Sequence, residues 1–156
     1  MKGSVNYYGL TSLVMYVSSF FFYAYYDEGL ECGVYGFDCF KFGLFYLLPV
    51  IIMDVYNLSV EFLWIAIWLA NPFYWIAAFC HFRHEHSGDN FILWAIFLGL
   101  LFLLVKDVDY GNVLTESLII GEKMIGYYLW MASFVVMAVA IFKDLNNMVS
   151  TNDNKL

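Results

Sequence analysis

Residues 42–82 read FGLFYLLPVIIMDVYNLSVEFLWIAIWLANPFYWIAAFCHF, 41 residues that stay apolar almost throughout. As one helix this stretch would run about 60 Å at 1.5 Å per residue, twice what a bilayer core accommodates. It must therefore turn, and Asp54, Asn57, Ser59 and Glu61 mark the place. The division leaves a short segment, 42–56, with Pro49 inside it, and a long one, 58–82, that can cross a membrane with some tilt. The short piece has the length of a re-entrant or interfacial segment.

Outward from this stretch the pattern repeats. Residues 7–26 are twenty positions without a charge, which matches the roughly 20 needed to cross a ~30 Å core. The run ends Phe-Phe-Phe-Tyr-Ala-Tyr-Tyr-Asp-Glu, a poor signal-peptide cleavage site, so it reads as a retained anchor. Further apolar runs cover 90–106 and 124–142. Between them lie a glycine-rich acidic loop before Lys41, a polar break at 83–90 and an acidic loop at 106–123. A polar tail, 143–156, closes the chain, and no internal repeat is visible.

The expected fold is an all-α integral membrane protein, a single membrane domain over 1–156. Four transmembrane helices are expected, plus the re-entrant or interfacial segment; five helices is the alternative. Positive-inside counting places Lys2, Arg83, Lys143 and Lys155 inside against Lys41, Lys106 and Lys123 outside in the four-span arrangement. The localisation this implies is a membrane crossed several times.

Composition agrees. The chain has 156 residues, 63% apolar and 13% charged, against about 45–50% and about 25% for soluble domains. A net charge of −7 without a basic stripe excludes nucleic acid as a partner. Scattered Lys and Arg exclude a polybasic lipid patch. Aromatic residues reach 22%, and Tyr and Trp suit membrane interfaces.

Four constellations could carry chemistry. Cys80-His81-Phe82-Arg83-His84-Glu85-His86 holds every histidine of the chain, and His81, His84 and His86 are the candidate metal ligands. The order is not that of a zincin, and a helix end turning polar at the membrane surface explains the same residues. Cys32 and Cys39 are a candidate disulfide closing a small loop outside the membrane. Asp54, Asn57 and Glu61 follow i, i+3, i+7, and Asp54, Glu61 and Asn71 are the candidate ion pathway. Asn71-Pro72 interrupts the span 58–82, either to shape packing or to build a midplane site. Ala66 with Ala70, and Ala95 with Gly99, lie one turn apart and permit close helix approach.

Two stretches, Trp68-Leu69-Ala70-Asn71-Pro72-Phe73-Tyr74-Trp75 and Gly126-Tyr127-Tyr128-Leu129-Trp130-Met131-Ala132-Ser133, resemble uncharacterised small bacterial inner-membrane proteins. In those proteins one helix carries Trp-Leu-Ala-Asn-Pro and the last opens Gly-Tyr-x-Leu-Trp. The resemblance implies a bacterial inner membrane as the localisation, and no activity, cofactor or substrate.

The functional expectation is a non-enzymatic, multi-pass protein without a cofactor. It would work by lateral contact with other membrane proteins, with self-association or with lipid, as accessory subunits and immunity or exclusion factors do. The alternative is a small oligomeric transporter or channel using Asp54, Glu61 and the Asn71-Pro72 break. A metal-dependent membrane oxidoreductase at His81, His84 and His86 is the third reading.

Overall fold

The computed structural model describes residues 7–27, 31–47, 61–83, 85, 88–104, 107–108 and 118–153. In chain order these form α1 (Tyr7–Ser19), β1 (Tyr23–Asp27), β2 (Cys32–Tyr35), α2 (Gly36–Phe42) and a π-helical turn (Gly43–Leu47). Then follow α3 (Glu61–Phe82), α4 (Gly88–Leu104), β3 (Asp107–Val108), β4 (Leu118–Lys123) and α5 (Ile125–Asp153). The protein is mostly helical. Two helical stretches, Ile65–Phe82 and Ile125–Leu145, are long and apolar enough to cross a membrane. α4 is apolar but shorter, at 17 residues.

The contacts fix the helix directions. Along α1, Gly9 meets His81, Ser12 meets Tyr74 and Tyr16 meets Asn71, so α1 and α3 run antiparallel. Lys143 lies over Tyr8 and Gly126 abuts Phe22, so α1 is also antiparallel to α5. Gly88 packs on Ala77 and Phe73 on Phe91, turning α4 back along α3. The main core joins Tyr16, Ala70, Tyr74, Ala77, Ile92, Ala95, Phe134 and Met137.

Small residues set the separation of the helices, as their spacing predicts. Ala70 and Ala95 are fully enclosed, and Ala66 packs beside them. Gly99 lies against Met131 and Phe134, and its carbonyl accepts a hydrogen bond from the Tyr127 hydroxyl at 3.1 Å. Side chains this small let the backbones approach closely, so that van der Waals contact holds the helices together.

A sheet closes one end of the bundle, in the order β2-β1-β4-β3 with antiparallel neighbours. It corrects three expectations. The run 7–26 is not one helix: α1 stops at Ser19 and Tyr23–Asp27 pairs as a strand. Aromatic residues fill a pleated, half-buried surface well, and the burial of Tyr23–Asp27 alternates imperfectly between faces. The segment before Lys41 is a strand and a short helix instead of a loop, and part of the acidic 106–123 region is strand β4. The expected tail 143–156 continues as helix to Asp153. Of the re-entrant segment 42–56, residues 48–56 lie outside the described ones.

A second, smaller core of Ala24, Tyr25, Ile67, Phe102 and Tyr127 joins sheet to bundle. Lys123 sits above it with Nζ 4.3 Å from the Phe102 ring centre. Desolvation lowers its pKa from 10.5 to about 8. Between those two values the unfolded chain holds more protons at this residue, so folding stability rises with pH through the window. Lys123→Met should flatten that rise when unfolding is followed from pH 7 to 11; an identical slope in both proteins would contradict the desolvated amine.

Gly126 has backbone on its open side: an added Cβ would lie 2.6 Å from Phe22 O and 2.7 Å from Tyr23 O. At Gly99 the obstacle is the thioether of Met131, which can swing away. Gly126→Ala should therefore cost about 1–3 kcal/mol, as overpacking against rigid neighbours does, and Gly99→Ala less. Thermal unfolding in detergent gives the order, and the reverse order would refute this account of the sheet–helix junction.

Candidate functional site

Pro72 has no backbone N–H, so α3 leaves the carbonyl of Trp68, one turn earlier, without its helical partner. The neighbouring side chain fills that gap: Asn71 Nδ2 donates to Trp68 O at 3.1 Å. Its Oδ1 accepts two hydrogen bonds, from Tyr16 Oη at 2.7 Å and from Trp130 Nε1 at 2.9 Å. An indole nitrogen only donates, so the oxygen must be the amide atom that faces Trp130. One carboxamide thus mends α3 and ties it to α1 and α5.

A second junction lies one turn away. Ser12 Oγ donates to Ser133 O at 2.7 Å. A serine hydroxyl has a single proton, so the 2.8 Å contact with Tyr74 must have the tyrosine as donor. Tyr16 and Tyr74 stack at 4.5 Å with their planes 4° apart, and Phe134 lies 5.1 Å from Tyr74. Ser19 and Ser133 return their hydroxyls to Tyr16 O and Trp130 O, each at 2.6 Å. Tyr16, Tyr74, Ser12 and Ser133 are essentially inaccessible. Burial lowers the local dielectric, so each bond is electrostatically stronger and each orphaned group more costly.

The other candidates are dispersed. His81 is buried in the last turn of α3, its Nδ1 3.5 Å from Asp144 Oδ2 on α5, while its ring packs on Gly9. His84, His86, Asp54 and Asn57 lie outside the described residues. Glu61 opens α3. Among the described residues, no group of three or more His, Cys, Asp or Glu gathers as a metal site. The candidate disulfide is not formed: Cys32 is an exposed free thiol, Cys39 a half-buried one, and Cys80 is buried. Cys39 packs against the sheet-side core. Burial and then the Asp38 charge push its thiol up to about 12, which leaves it a poor nucleophile.

Of these residues the sequence singled out Asn71 alone as a polar break inside a span. It missed Ser12, Tyr16, Tyr74 and Ser133, although Ser12, Tyr16 and Ser19 follow i, i+4, i+7 and so share a face within an apolar run. Asp144 was also missed, because it stands at the start of a segment that reads as tail. No protein family, curated protein or solved structure matches the chain.

Asn71→Ala removes the acceptor of two buried donors and the substitute donor for Trp68 O. It should cost about 2–4 kcal/mol, since each orphaned group costs about 1–3 kcal/mol. Pro72→Ala restores a backbone N–H that can reach Trp68 O. In that background the cost of Asn71→Ala should fall by about 0.5–1.5 kcal/mol, the worth of one hydrogen bond. Equal costs in both backgrounds, measured by denaturation in detergent, would refute the repair of the proline gap.

Proposed function

We propose that the chain is a non-enzymatic, multi-pass protein of a bacterial inner membrane that acts by lateral contact with other membrane proteins, in the manner of an accessory subunit or an immunity or exclusion factor. Four spans are proposed: α1 with the turn at residues 20–22 that joins it to the sheet, α3, α4 and α5. The sheet lies outside; Arg83, Lys143 and both termini lie in the cytoplasm. Support comes from the alternating helix directions, which bring Arg83 and Lys143 to the end of the bundle away from Lys41 and Lys123. Positive-inside charge bias favours the same orientation.

One observation carries the functional reading. The polar side chains between α1, α3 and α5 bond to one another, while Ile76, Phe79, Leu93, Trp94, Phe97, Leu100, Val135 and Val139 face outward. The chemistry is turned inward to hold helices, and the surface left for recognition is apolar. The segments joining the helices are too short to build a separate soluble domain. Asn71, the one member of the candidate ion pathway whose contacts are described, is engaged in packing, which favours lateral contact over transport.

In intact cells, a membrane-impermeant maleimide added outside should label Cys32 and leave an Arg83→Cys variant's new thiol untouched, since Arg83 is exposed at the opposite end of the bundle. Labelling at position 83 without Cys32 would invert the proposed orientation. A photo-crosslinking residue at Phe97 should trap another membrane protein or a second copy. Trp94→Ala with Phe97→Ala should weaken that capture while shifting the thermal midpoint little. Undiminished capture in the double variant would remove α4 as the contact face.

A further inference from the structure

Cys32 and Cys39 lie on the same side of the sheet. Gly33 sits under the Tyr23 ring, and the Tyr35 ring is 4.3 Å from it, so these three residues share the outer face. Successive strand residues point to opposite faces, which puts Cys32 and Val34 on the other one. Their pairing partners there, Asp27 and Tyr25, are both buried. Val34 and Cys39 both pack against the sheet-side core. The exposed thiol of Cys32 is thus only about 7 Å along the strand from a residue that shares this core with Cys39.

The helix between the two thiols is lightly held. No residue of α2 is fully buried, and its N-cap, Tyr35, makes no side-chain capping hydrogen bond. The Asp38–Lys41 ion pair is half exposed, and such pairs add little. What holds α2 is tertiary: Trp68 Nε1 donates to Phe40 O at 3.4 Å, the Phe20 and Phe40 rings meet at 5.4 Å, and Cys39 packs on the core. From Cys32 to Tyr35 the strand covers about 10 Å. As helix, residues 36–39 advance about 6 Å. Extended, the same four residues reach about 13 Å, enough to return along β2 to Cys32.

We propose that Cys32 and Cys39 are a thiol switch, which a disulfide oxidant closes into an intramolecular bond as the start of α2 unwinds and Phe40 leaves Trp68. The exposed Cys32 loses its proton and attacks the oxidant, forming a mixed disulfide and releasing one thiol. Cys39 then loses its proton and attacks the Cys32 sulfur, forming the Cys32–Cys39 bond and releasing the second thiol. Two protein thiols are oxidised and one external disulfide is reduced to two thiols. Burial holds Cys39 back from the second step until α2 opens. Cys32 therefore stays open to external reagents as long as α2 is folded. Closure needs only the fold; its use in the cell rests on the sheet lying outside, as proposed above, where disulfides persist.

The test uses the full chain, purified in detergent, reduced, and then given oxidised glutathione. Peptide masses after alkylation distinguish free thiols, glutathione on Cys32 and the internal disulfide, while the rate of trypsin cleavage after Lys41 reports the state of α2. The wild type should pass through the Cys32 adduct to the internal bond. Cleavage after Lys41 should then be about tenfold faster, because proteolysis follows the population of the open segment. Dithiothreitol should reverse both changes, and Cys39→Ser should stop at the adduct. Trp68→Phe, which loses the bond to Phe40 O, should close about three- to tenfold faster, the effect of one hydrogen bond. Thermal unfolding of the reduced variants identifies any that fail to fold. A wild type that stops at the adduct, or that closes without faster cleavage after Lys41, overturns the switch. So does an equal closing rate in a folded Trp68→Phe. Because no membrane enters the assay, its failure leaves the proposed orientation standing, and the maleimide reaction judges that orientation by itself.

Discussion

A proline in the middle of an apolar helix leaves a carbonyl one turn earlier without its helical hydrogen bond. In α3 the residue just before the proline supplies the missing donor, and the oxygen of the same amide gathers a tyrosine from α1 and an indole from α5. The helix directions, the stack of Tyr16 on Tyr74 and the burial of Ser12 against Ser133 all depend on those three helices meeting at this point. Remove the amide and three polar groups lose their partners together. The stacked rings and the alanine faces provide area, but area alone would allow the helices to slide or rotate; the shared acceptor fixes their register.

The two ends of the bundle differ in a way that follows from the same directions. At one end, chain segments leaving α1 and α4 and entering α5 pair as strands, which satisfies backbone groups that would otherwise be stranded beside an apolar layer. Met124 N donates to Ala24 O at 2.8 Å and Gly36 N to Phe22 O at 3.0 Å, so the sheet is bonded to the starts of α5 and α2. At the other end, side chains meet across the helices, His81 with Asp144 and Lys143 over Tyr8, and Glu85 N closes α3 on Cys80 O at 2.9 Å.

Much of the helical plan was legible from charge-free run lengths. Two of the expected spans, 58–82 and 124–142, fall on the helical stretches long and apolar enough to cross a membrane, and Ala70, Ala95 and Gly99 lie at packed positions, because run length and 3.6-residue spacing are local properties. The expected break at Asn71-Pro72 is not one: α3 runs on through Pro72 from Glu61 to Phe82. The sheet was not legible. Twenty charge-free residues at 7–26 satisfy the length of a span whether they are all helix or helix then strand, and the aromatic Tyr23–Asp27 favours pairing only because β2 and β4 are there to receive it. The polar junction was half legible for a similar reason. Asn71 stands out within its helix, but Tyr16 and Trp130 reach it from 55 and 59 residues away, and nothing local ties either one to it. Asp144 was hidden by a tail that is in fact the last turns of α5.

The central claim is that Tyr16 and Trp130 share one acceptor. A double-mutant cycle on Tyr16→Phe and Trp130→Phe, read as unfolding free energy in detergent, tests it directly. Either single change leaves Asn71 Oδ1 with one donor, and only the pair leaves it with none. The double variant should therefore be less stable than the sum of the singles by about 0.5–2 kcal/mol, the coupling expected of groups in one hydrogen-bond network. Additivity to within about 0.3 kcal/mol, as for independent sites, would contradict the shared acceptor and with it the account of how the three helices are held.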